Sequence, residues 1–84
     1  MSVKGQVFRS LAGRDKGRLL AAVSADSAYV YVCDGKERPL ANPKRKNPRH
    51  LTECGVCLTD GQMRSDRALK KALAVIEADM ITGR

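Results

Sequence analysis

The sequence has no tryptophan, one phenylalanine and two tyrosines, so any core it builds is mostly aliphatic. It has one histidine, His50, and no motif sets a nucleophile or carboxylate beside it. Paired catalytic carboxylates, a nucleophile elbow and a Walker loop are all missing, and no enzyme is expected. No stretch is long and apolar enough to cross a bilayer, and the opening Met1-Ser2-Val3-Lys4-Gly5 lacks the apolar run of a signal peptide. The expectation is a cytoplasmic protein with no membrane and no small-molecule substrate. At 84 residues there is room for one small domain, which buries a limited fraction of its surface.

Acidic residues are scarce in one half only. Residues 1–50 carry eleven Lys/Arg against four Asp/Glu, whereas residues 51–84 carry five of each. All the net charge of +7 therefore lies in the first half, which favours a polyanionic partner. A basic amphipathic helix for an acidic membrane is excluded there by Pro43 and Pro48.

That charge is concentrated in two places. Gly13-Arg14-Asp15-Lys16-Gly17 brackets charged residues with two glycines that free the backbone, and Arg18 follows directly. The loop is expected to present Arg14 and Lys16 beside backbone N–H groups, a combination that suits phosphate. The second place is Asn42-Pro43-Lys44-Arg45-Lys46-Asn47-Pro48-Arg49-His50, with four Lys/Arg, no acid, and two prolines that limit its unfolded freedom. This segment is expected to be an extended loop. Arg forks onto phosphate and Lys meets it as a point charge.

Between and around these lie short apolar segments. Gln6–Ser10 is expected as a strand with Val7 and Arg9 on one face and Phe8 on the other. Residues 18–24 form a second strand, and residues 28–33, Ala-Tyr-Val-Tyr-Val-Cys, a third and clearest one. Asp34-Gly35 signals a hairpin into a short strand over residues 37–40, which Pro39 confines to an edge. A last short strand at Leu51-Thr52 completes the set. From Ser65, an N-cap, the period changes to helical, with Leu69, Ala72, Leu73, Ile76 and Met80 on one face and Gly83 as the stop.

The run Gly5-Gln6-Val7-Phe8-Arg9-Ser10, then Gly13-Arg14-Asp15-Lys16-Gly17-Arg18 and an apolar strand, resembles the KOW motif of ribosomal proteins and transcription elongation factors. Asp34-Gly35-Lys36-Glu37-Arg38-Pro39-Leu40 and the Pro-Lys-Arg-Lys segment after it look like the small bacterial KOW-domain RNA-binding proteins. Those are related to the large-subunit ribosomal protein fourteen-e. The resemblance covers about residues 4–53 and implies a mainly β fold, a small SH3-like barrel of about five strands with a C-terminal helix. The expected layout is a barrel over 1–53, an irregular connection over 54–64 and a helix over 65–82 packed on the barrel. The implied function is binding of structured RNA, ribosomal RNA or a ribosome-linked assembly, by backbone contacts from both basic loops. The residues expected to make them are Arg14, Lys16, Arg18, Lys44, Arg45, Lys46, Arg49 and His50, with Gly13 and Gly17 shaping the first loop. The alternative is a KOW-type module docking on ribosomal or transcription proteins.

Two further groups have competing readings. Tyr29 and Tyr31 on one strand face either stack bases or pack under the helix. Cys54 and Cys57 have the two-residue spacing that lets both thiolates reach one zinc ion, and Cys33 with His50 would complete a Cys3His set. Only one ligand pair is plain, the resemblance carries no zinc site, and a redox pair would want a βαβ setting. Reduced thiols and no cofactor are the expectation.

Overall fold

A computed structural model describes residues 3–82; the expected helix stop at Gly83 lies outside them. The strands are β1 (Gln6–Ser10), β2 (Leu19–Ala25), β3 (Val30–Cys33), β4 (Lys44–Lys46) and β5 (Leu51–Cys57), followed by the helix α1 (Asp66–Thr82). They form one antiparallel sheet in the order β4-β3-β2-β1-β5. In a flat sheet β4 and β5 would lie four spacings, about 19 Å, apart. Yet β5 starts five residues after β4 ends, across a 3-10 turn at Pro48–His50, and five residues span at most about 17 Å even fully extended. The sheet is therefore rolled, with its two edges drawn together but not hydrogen-bonded to each other among the described residues.

Rolling creates two apolar layers from one alternating pattern. Phe8, Leu20, Ala22, Val30 and Val32 pack inside the roll. Val7, Leu19, Ala21 and Cys33 face the other way and are covered by Leu69, Ala72 and Leu73 of α1, with Leu58 and Met63 from the connection. The centre of the sheet is thus covered on both sides, so Leu19-Leu20-Ala21-Ala22 reads as a continuous apolar run without alternation.

Three expected boundaries move. Residues 37–40 do not form a strand: Pro39 has no N–H to give, and the Leu40 N–H is taken by Asp66 Oδ1 at 2.7 Å. The fourth strand lies instead inside the segment expected as a loop, where Lys44–Lys46 pairs with β3 in the register Val30↔Lys46, Tyr31↔Arg45, Val32↔Lys44. The fifth strand runs on through Cys57, so the irregular connection is shorter than 54–64.

Helix α1 starts where its cap chemistry places it. Ser65 Oγ accepts the Ala68 N–H at 3.1 Å, and Asp66 supplies the acid of the first turn. Replacing Ser65 by Ala is expected to cost about 1 kcal/mol in urea unfolding, with no change in the sheet.

Candidate nucleic-acid interface

The segment between β1 and β2 is a tight closure. Gly17 N–H donates to Ser10 O at 2.8 Å, Arg18 N–H to Asp15 O at 2.9 Å and Lys16 N–H to Gly13 O at 3.2 Å. Gly13 and Gly17, at φ of 87° and 88°, supply the left-handed turns this requires. The amides of Lys16, Gly17 and Arg18 therefore point into the turn and are not the phosphate cradle expected from the sequence. The side chains of Arg14 and Lys16 are exposed, and neither forms an ion pair among the described residues.

Asp15, between them, is the hub. Its Oδ1 accepts from Ser10 Oγ at 2.8 Å and from Lys46 Nζ at 2.7 Å, and its Oδ2 lies 3.3 Å from Lys44 Nζ. Burial alone would raise its carboxyl pKa. The hydrogen bonds from Lys46 and Ser10, with the Lys46 charge and Lys44 added, outweigh that and hold it at about 2. Lys46 Nζ also donates to Ala12 O at 2.8 Å, and its side chain is only 6% exposed. Lys46 is thus a structural pin between β4 and the first loop. It is the clearest correction to the expected phosphate contacts. Lys44 is half committed to the same carboxylate.

A second stitch holds the Pro48–His50 turn. Asn47 Oδ1 accepts the Arg49 N–H at 2.9 Å, capping the turn, and His50 O accepts the Leu11 N–H at 2.7 Å. The two basic segments are therefore brought together, and Arg49 and His50 project from that junction exposed. Arg18 turns away toward Asp34 (3.8 Å) and Glu37 (3.3 Å), half exposed. Arg14, Arg18, Arg38 and Lys44, with Asp34 and Glu37, border a cleft of about 500 Å³ at this end of the roll.

Arg45 projects from the opposite face of β4. Its guanidinium lies 4.6 Å from the centre of the Tyr29 ring. Tyr31 donates to Asp26 Oδ2 at 2.7 Å, and that bond lowers the Asp26 pKa and raises the tyrosine's. Neither tyrosine belongs to the layer under α1, so packing beneath the helix is not their role.

Arg9 was not singled out in the sequence. It donates to both carboxylate oxygens of Glu77 (3.3 and 3.1 Å) and to Gly17 O (2.6 Å), tying α1, β1 and the first loop together. Its only sequence signal was its place on the Val7 face.

The proposed zinc ligands are not brought together. Cys33 is fully buried against Ala21 O, with its thiol pushed up to about 11 by burial. Cys54 lies half-buried beside α1, Cys57 is exposed near Lys4 O, and His50 sits at the basic junction. Among the described residues no three His, Cys, Asp or Glu side chains are grouped for a metal.

No family model matches this chain, and no curated protein is significantly similar to it.

Proposed function

We propose that this chain is a KOW-type RNA-binding protein that grips the phosphate backbone of structured RNA, with ribosomal RNA or a ribosome-bound assembly in the cytoplasm as its target. The observation that carries the reading is the double stitch, Asp15–Lys46 and Leu11–His50, which presents Arg14, Lys16 and Arg49 from one rigid junction. Arg45 adds a fourth exposed cation beside a tyrosine ring. Such contacts position a protein on a backbone without reading sequence. The protein-docking alternative would draw on apolar surface, for which Val75 and Met80, 59% and 39% exposed on α1, are available.

Binding to a folded ribosomal-RNA fragment and to duplex DNA over a salt series tests it. These four phosphate contacts contribute about −3 to −4 to the log K against log salt slope. The variant Arg14→Gln/Lys16→Gln/Arg45→Gln/Arg49→Gln is expected to lose most of that contribution and the RNA preference with it. Equal, weak, salt-erased binding of the wild type to both nucleic acids would overturn the reading. Docking on a protein would survive the fourfold substitution.

A further inference from the structure

Net charge over residues 51–84 is zero, but it is not evenly spread. Arg64, Arg67, Lys70 and Lys71 fall in eight residues with one acid, Asp66, while Glu77 and Asp79 lie further on. Asp66 is spent on the Leu40 N–H, and Asp34 accepts the N–H groups of Lys36 and Arg38 at 2.9 Å each. Arg67, Lys70 and Lys71 are exposed, and none forms an ion pair among the described residues. They sit in the first two turns of α1, where the helix dipole favours anions. Arg67 also repels Lys70 and Lys71 at spacings of three and four.

Their position connects them to the junction described above. The turn through Asp34 and Gly35 packs directly on α1, so close that a Cβ on Gly35 would collide with Asp66 O and lie 3.0 Å from Lys70 N. Gly35 borders a second cleft, of about 540 Å³, with Arg67, Lys70, Lys71 and Ala74. Asp34, the preceding residue, borders the cleft of Arg14, Arg38 and Lys44. The two clefts thus flank one turn, which itself carries exposed Lys36 and exposed Glu37, the latter paired with Arg18.

We infer that the RNA track continues from the basic junction over this turn onto the first half of α1, where Arg67, Lys70 and Lys71 contact backbone phosphates. This rests on the RNA-binding reading and extends it to the helix. An acidic protein segment would meet the same charges. A phosphate backbone fits better because cations border both clefts, whereas the large exposed apolar side chains of the described residues, Leu11, Val75 and Met80, lie in the first loop and in later turns of α1.

The test uses the full chain and the same folded ribosomal-RNA fragment across a salt series. Arg67→Gln/Lys70→Gln/Lys71→Gln keeps good helix formers at exposed positions, so far-UV circular dichroism should be unchanged. Its salt slope is expected to be shallower than wild type by about 2 to 3, with weakening similar across RNA sequences. Ala74→Lys, which adds a cation to the same cleft, is expected to steepen the slope by about one. A wild-type slope in the triple helix variant, alongside a flattened slope in the loop variant, overturns the helix track and leaves the junction standing. No binding by the wild type overturns both.

Discussion

Replacing Lys46 by Met is expected to destabilise the protein by about 3 kcal/mol, the low end for breaking a buried ion pair, while leaving the salt slope of RNA binding near wild type. Met keeps the volume of the lysine stem, so the loss falls on the ammonium alone. That group holds Asp15 Oδ1 at 2.7 Å and Ala12 O at 2.8 Å. Without it the carboxylate, 13% exposed, keeps Ser10 and the longer contact to Lys44, which is why the cost stays at the low end. Acid provides an independent reading. The folded pKa of Asp15, about 2, lies below the unfolded value of 3.8, so the unfolded chain binds more protons between them. The stabilisation, about 2 kcal/mol, is complete above pH 4 and is lost as pH falls toward 2. In Lys46→Met the folded carboxyl pKa rises toward the unfolded 3.8, so less stability is lost on acidification and the fall ends at a higher pH. Urea unfolding at neutral and acid pH measures both effects. Unchanged stability with a salt slope shallower by about one would instead place the Lys46 ammonium on phosphate.

That a lysine in a run of Lys-Arg-Lys is a pin was not legible in the sequence, because its partner lies 31 residues away. The same segment hid a strand. Lys44–Lys46 contains no apolar residue, so alternation gave no signal, and its pairing is set by Val30 and Val32 across the sheet. Lysines on an edge strand also deter pairing with another chain. Where apolar periodicity existed, the reading held: β1 has the expected bounds, β3 ends at Cys33, and Leu69, Ala72 and Leu73 are buried on one helix face. That face gives out toward Met80, which is exposed and meets the Arg9 guanidinium, itself paired with Glu77 of α1, in place of an apolar side chain of the sheet. The basic half of α1 was masked by averaging: two later carboxylates on the helix cancelled it in the net charge.

Gly35→Ala is expected to cost about 3 to 4 kcal/mol, the sum of a left-handed backbone penalty and an overpacked contact. Gly35 has φ of 78°, which disfavours any side chain, and the added Cβ has nowhere to go. Its obstacles are main-chain atoms of α1, Asp66 O and Lys70 N, which cannot swing aside as a side chain would. Relief requires the turn and the helix to part. That movement pulls on Asp66, whose carboxylate holds the Leu40 N–H, and on Leu69, fully buried three residues along. Gly17→Ala separates the two contributions. It carries the same kind of backbone, at φ of 88°, with nothing within 4 Å of a new Cβ. It should cost only about 1 to 2 kcal/mol. The difference between the two variants in urea unfolding measures the collision itself. Equal costs would mean that the turn and α1 are not in hard contact. In that case the turn would not hold the helix cations in line with the junction, and Gly35→Ala would leave the RNA salt slope untouched.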